Sequence, residues 1–117
     1  KLKEFTVFTG MNITPTSTVV IEVDGRTVRS SDVGIGPVDA ALNAIRTAVS
    51  ENISLVEYRL NAITGGSDAL CEVTVKLRMN GDLKVMSVGK SIGSDIVLTS
   101  VNAAMAAIDR LLGRQRS

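Results

Sequence analysis

The chain has no histidine and no tryptophan, one cysteine, one tyrosine and two phenylalanines in 117 residues. Each shortage removes chemistry. Without histidine there is no Ser-His-Asp or Cys-His arrangement, no His-coordinated zinc site, and no side chain whose unperturbed pKa lies near neutrality. Cys71 has no partner for an intrachain disulfide. It alternates with Val73, Val75 and Leu77 and reads as a buried structural thiol, because a nucleophilic cysteine would want a base nearby. Thirteen basic and twelve acidic residues leave a net charge of +1. The basic residues are scattered, and few aromatics are available to stack on bases, so nucleic acid is not an expected partner. Arg110, Arg114 and Arg116 form the one basic cluster and read as solvated charge at a helix C-terminus. No run approaches the ~20 apolar residues of a membrane span, and Lys1-Leu2-Lys3-Glu4 lacks the apolar core of a signal peptide. A cytoplasmic location without a membrane partner is expected.

What is present is core-forming material. With 44% hydrophobic residues the chain is expected to be one domain, 1–117, far short of the ~250 residues of a (β/α)₈ barrel. The periods give the elements. A short strand around Phe5 to Phe8 precedes alternating Val19, Ile21 and Val23, which turn at Asp24-Gly25 into Arg26 to Ser31. Val38, Ala41, Leu42, Ile45, Ala48 and Val49 then form a helical stripe, with Pro37 at the first helical position. The order repeats: Val56, Tyr58, Leu60 and Ala62 alternate, as does Cys71 to Met79, and Leu83 to Val88 follows a turn at Asn80-Gly81-Asp82. A last helix carries Val97, Val101, Ala104, Met105, Ile108, Leu111 and Leu112. Two consecutive β-β-β-α units, about 1–50 and 54–112, make an α+β fold. The last helix has a second, small-residue face of Ser100, Ala103 and Ala107, which suggests burial against another subunit, with a simple alanine-rich surface as the alternative.

Both helices are expected to follow glycine-containing loops, Val33-Gly34-Ile35-Gly36-Pro37-Val38-Asp39 and Val88-Gly89-Lys90-Ser91-Ile92-Gly93-Ser94-Asp95. Helix N-termini expose N–H groups and partial positive charge, which suits a carboxylate. Asp39 and Asp95 fall in first helical turns, where each opposes the dipole or caps N–H groups. No Gly-Lys-Ser/Thr or Gly-x-Gly-x-x-Gly signature stands here, so a phosphate cradle is not indicated. The reading is a duplicated module that holds a small anionic ligand.

Three ordered segments carry a family likeness: Gly34-x-Gly36-Pro37-Val38-Asp39-Ala40-Ala41, then Tyr58-x-x-x-Ala62-Ile63-Thr64-Gly65-Gly66-Ser67-Asp68-Ala69, then Asp95-Ile96-Val97-x-x-Ser100. Together they resemble the C-terminal regulatory domain of 2-isopropylmalate synthases and citramalate synthases, from about Phe5 to Leu112. The resemblance implies a homodimer of β-β-β-α pairs that binds the end-product amino acid. It also implies a parent acyltransferase whose metal-dependent barrel is absent from this chain, so that no catalytic residue, metal or cofactor is expected here and the divalent metal belongs to that catalytic domain. The polar opening fits a cut inside a longer chain.

Carried over by residue, the resemblance implies an effector site at Gly34, Gly36, Pro37, Val38 and Asp39, at Tyr58, Ala62 and Ala69, and at Ile92, Gly93, Ser94 and Asp95. The second loop departs from the family's usual pattern, with Ser87 where a glycine is common. On residues alone, Tyr58 also fits as a core ring, and Ala62 and Ala69 as small packing residues. Leucine feedback on 2-isopropylmalate synthase, which condenses acetyl-CoA with 2-oxoisovalerate, is the favoured function. Isoleucine sensing by a citramalate synthase, which uses pyruvate, is the alternative, and a stand-alone amino-acid-binding or dimerisation module is a reading of another class. Discrimination between the two isomers rests on ~1–3 kcal/mol of pocket shape.

Overall fold

The alternating and helical stripes produce, in order, β1 (Leu2–Phe8), β2 (Thr16–Val23), β3 (Arg26–Val33), α1 (Pro37–Val49), β4 (Ile53–Gly65), β5 (Asp68–Met79), β6 (Met86–Gly93) and α2 (Ile96–Arg116). The structure, a computed structural model, describes residues 1–23, 25–49, 52–65, 68–80 and 85–116. It divides into two compact units, Lys1–Glu51 and Asn52–Ser117. Each is a β-β-β-α module, and the division falls where the internal repeats meet. Among the described residues no helix is long and apolar enough to cross a membrane.

In the first unit the strands pair antiparallel in the order β1-β2-β3. Gly25, with φ of 76°, supplies the left-handed turn between β2 and β3 that a side chain would resist; Asp24 lies outside the described residues. Ser17, Val19 and Ile21 are buried on one face of β2. That face meets α1, because Asp32, opposite Ser17, accepts a hydrogen bond from Thr47 Oγ1 at 3.0 Å. Asn43 Nδ2 adds a bond to the Val33 carbonyl at 2.9 Å. The helix buries Ala40, Ala41, Ala44 and Ile45, so Ile45 is the one large side chain of its buried face, worth about 1.5–3 kcal/mol.

The second unit orders its strands β4-β5-β6. Cys71, Val73, Val75 and Leu77 of the central strand are buried. Their partners on β6 are Gly93, Ser91, Gly89 and Ser87, all small, and α2 packs chiefly on β6 and β5. A Cβ built on Gly89 would overlap the Ala103 carbonyl oxygen and the Ala107 amide nitrogen, while Ser87 Oγ donates to the Ala107 carbonyl at 2.6 Å.

Four expectations change. The second glycine loop is largely strand: Val88 to Gly93 belongs to β6, and only Ser94 and Asp95 connect it to α2. Its glycines and serines admit a helix backbone rather than make a turn. For the same reason Ala103 and Ala107 pack on β6 of their own unit and Ser100 meets Tyr58 of β4, so this face is already buried within the chain. Val56 sits at a bulge between Leu55 and Glu57, so it does not share the alternation of Tyr58, Leu60 and Ala62. Arg110 is not simply solvated: its guanidinium donates to the Val88 carbonyl at 2.8 Å. The expected turn at Gly81-Asp82 and strand start at Leu83 lie outside the described residues, as do Gly66 and Ser67 and the side chains of Arg114 and Arg116.

Replacing Gly89 by Val should therefore destabilise the chain by roughly 2–4 kcal/mol, because rigid backbone occupies the space the side chain needs. Gly36, whose added Cβ would meet nothing within 4 Å, should tolerate Ala within about 0.5 kcal/mol. Urea unfolding of both variants checks the contrast.

Candidate functional site

The sequence-derived site residues fall into two constellations, one in each unit. In the first, Gly34, Ile35 and Gly36 connect β3 to α1. Gly34 donates its N–H to the Pro15 carbonyl at 3.1 Å, and a Cβ there would overlap the Ala40 backbone and crowd the Asp39 carboxylate. Gly34 is thus a packing glycine, needed where the loop lies against the helix. Ala40 donates to the Gly36 carbonyl at 2.9 Å, which makes Gly36 the N-cap and Pro37, Val38 and Asp39 the first turn. Asp39 reaches back to accept the Ile35 N–H at 3.0 Å. A glycine N-cap has no side-chain oxygen, so it offers Val38 and Asp39 no capping acceptor. Open space lies over Gly36, and the Asp39 carboxylate already sits in this first turn.

The second helix start differs. Thr99 donates to the Asp95 carbonyl at 2.9 Å, so Asp95 is the N-cap and not a first-turn residue. Its Oδ1 accepts the Leu98 N–H at 3.0 Å. This end already carries its own carboxylate, which meets one of the orphan donors and opposes the dipole.

Beside it lies a cleft. Ala62, Ala69 and Ser94 line it together with Leu60, Leu70, Cys71 and Ile96, around a volume of ≈ 350 Å³. That is the small end of the ~300–1,000 Å³ range of ligand pockets. No lining residue is charged, and Ser94 is the single hydroxyl, so the cleft suits an aliphatic group. Leu60, Leu70 and Ile96 are only partly covered, at 43%, 38% and 46% exposure. The opening exists because α2 is drawn over β6 and β5, while Leu60 and Ala62 lie opposite Val73 and Cys71 on the outlying strand β4.

Tyr58 shares the face of Leu60 and Ala62, two and four residues along β4. Its hydroxyl lies 2.6 Å from Ser100 Oγ, and Ser100 Oγ donates to the Ile96 carbonyl at 2.7 Å. Ser100 has one proton, so Tyr58 is the donor to Ser100. This chain of hydroxyls ties β4 to the first turn of α2 at the cleft. Gly93, opposite Cys71 on β6, has Thr99 Oγ1 where a Cβ would go. Ile92 alternates with Gly93 and projects from the other face, 57% exposed, away from the cleft.

Leu60, Leu70, Cys71, Ile96 and Ser100 were not marked as site residues by sequence. Leu60 carried a signal, the period-two spacing with Tyr58 and Ala62, whereas Cys71 reads identically as core thiol or cleft wall.

A family model described as the LeuA allosteric (dimerisation) domain matches residues 1–112. The chain is 47% identical over 116 residues to an (R)-citramalate synthase of Methanocaldococcus jannaschii, covering 96% of this chain and 23% of that protein. It is 41% identical over 115 residues to a 2-isopropylmalate synthase of the same organism, covering 98% of this chain and 22% of that protein. The chain thus spans less than a quarter of the length of these relatives.

The hydroxyl order predicts unequal costs. Ser100→Ala leaves the Tyr58 proton without its acceptor and should cost about 1–2 kcal/mol, whereas Tyr58→Phe leaves Ser100 bonded to Ile96 and should cost about 0.5–1 kcal/mol. Equilibrium urea unfolding measures both, and the reverse order contradicts the assigned direction.

Proposed function

Because the chain belongs to the LeuA allosteric (dimerisation) domain family, we propose that it is the end-product sensor of an acyltransferase in branched-chain amino-acid biosynthesis. In this reading it binds leucine and gives feedback inhibition of a 2-isopropylmalate synthase, whose condensation of acetyl-CoA with 2-oxoisovalerate takes place in a separate metal-dependent catalytic domain. The observation that carries the reading is the uncharged cleft of the second unit, which suits an aliphatic side chain.

Within the second unit, Leu60, Ala62, Ala69 and Ile96 are the candidate wall for the aliphatic side chain, where burial of a leucine-sized group contributes about 1.5–3 kcal/mol. Within the first unit, taken by itself, the N–H groups of Val38 and Asp39 are candidate donors to a carboxylate, with Gly36 giving access; charge-assisted bonds of this kind contribute roughly 1.5–3 kcal/mol. Pro37 has no N–H and serves to start the helix. Asp39 and Asp95 remain the candidate partners for the ammonium group, each through the carboxylate oxygen not already engaged by Ile35 or Leu98. The amino acid alters turnover only through its differential affinity for two arrangements of the regulatory dimer.

Isoleucine sensing in a citramalate synthase is the second reading. It is favoured by the higher identity to the citramalate synthase of Methanocaldococcus jannaschii than to the 2-isopropylmalate synthase of the same organism, 47% against 41%.

Titration calorimetry of the chain with leucine, isoleucine and valine separates the two readings. Saturable binding with preference for leucine supports the first, preference for isoleucine the second, and no binding by the folded chain contradicts both. Gly36→Val should weaken binding at least tenfold while lowering the unfolding free energy by only about 1 kcal/mol, and Ala62→Leu should weaken it by filling the cleft. Unchanged affinity in both variants would refute the site.

A further inference from the structure

Two walls of the cleft stand on elements that scarcely touch. Leu60 and Ala62 belong to β4, and Ile96 opens α2. The strand is fixed from its other side by the ladder to β5, and the helix packs on β6 and β5. The first turn of α2 shares little of that packing: Ile96 and Leu98 are 46% and 44% exposed, whereas Val101, one turn on, is fully buried. Among the described residues the hydrogen bond that joins strand to helix is the one from Tyr58 Oη to Ser100 Oγ at 2.6 Å.

That bond reaches the wall itself. Ser100 is fully buried, and its own proton goes to the carbonyl of Ile96 at 2.7 Å. On the strand, Tyr58 precedes Leu60 and Ala62 by two and four residues on one face. Neither hydroxyl is among the groups that line the cleft, so the pair acts through Leu60, Ala62 and Ile96. Position 100 gains nothing as helix from its hydroxyl. Bonding back to the carbonyl four residues earlier slightly destabilises a helix, and alanine is the better helix former. The gain is the lone pair offered to Tyr58.

We propose that Ser100 is a positioning residue for the effector: by receiving Tyr58 it sets the separation of the two walls, and so selects among branched aliphatic side chains. The inference rests on the amino-acid-sensor reading and deepens it. A difference of one methylene or one branch point gives a hydrophobic pocket only about 10- to 200-fold discrimination. Walls on two elements keep that discrimination only while their separation is held.

The test is titration calorimetry with leucine, isoleucine and valine on the wild type, Ser100→Ala, Tyr58→Phe and the double variant, each shown to be folded by urea unfolding. Each single variant should weaken the preferred amino acid at least about fivefold, and the double should fall within about twofold of the singles, because all three lack the same bond. The preference among the three amino acids should shrink at least about threefold. A loss of stability alone weakens all three in proportion and leaves the preference intact. Tyr58→Phe, which leaves Ser100 bonded to Ile96, keeps the test open where Ser100→Ala is too unstable to titrate.

An unchanged preference in the variants overturns the proposal, as does a wild type that binds the three amino acids alike. Losses that add in the double variant, or a loss in Tyr58→Phe without one in Ser100→Ala, overturn it too, since Tyr58 would then act on the amino acid by itself. Each of these results leaves the sensor reading standing. Absence of binding by the folded wild type defeats that reading, and this inference with it.

Discussion

The close seating of α2 on β6 is the constraint from which the second unit follows. Gly89 leaves its Cβ position to the Ala103 and Ala107 backbone, and Ser87 bonds the Ala107 carbonyl from below. Because Ser87, Gly89, Ser91 and Gly93 lie opposite the buried Leu77, Val75, Val73 and Cys71, the helix settles over β6 and β5. The outlying strand β4 is left with its helix-side residues Leu55 and Leu60 partly bare. The cleft is a consequence of that placement. The Tyr58–Ser100–Ile96 hydroxyl chain is the tether that holds β4 to the helix it would otherwise lack.

The two units use one plan for different chemistry. Both place a helix start after the third strand of an antiparallel sheet. In the first, Gly36 is the N-cap and the carboxylate in the first turn is that of Asp39, bonded to the Ile35 N–H. In the second, Asp95 is itself the N-cap and accepts the Leu98 N–H, and the neighbouring surface is apolar.

Where tertiary and local demands agree, the sequence was readable. Gly25 at the β-turn, Pro37 opening α1, and the alternation from Cys71 to Leu77 are each set by backbone geometry or period, and each element stands where those signals put it. The misreadings share a cause. Gly89 has no side chain because the backbone of α2 needs its space, Ser87 bonds that same backbone, and Gly93 gives way to the Thr99 side chain, demands made by residues further along the chain, so a strand took on the composition of a loop. The same approach explains why the small face of α2 looked like an intersubunit surface. The bulge at Val56 has no local marker at all. At the candidate site, Ala62, Ala69 and Ser94 were legible through family likeness and Leu60 through spacing, but the different roles of Gly34, Gly36 and Asp95 became visible only from backbone contacts.

Amide hydrogen exchange of the chain with and without a saturating branched-chain amino acid tests the central claim most directly, because it reports the two constellations separately. The account predicts slower exchange at Val38 and Asp39, where the carboxylate is received, and at Leu60 to Ala62, Ala69 to Cys71 and the first turn of α2, where the aliphatic group packs. Protection confined to other segments, with these amides unchanged while the amino acid is bound, would contradict it.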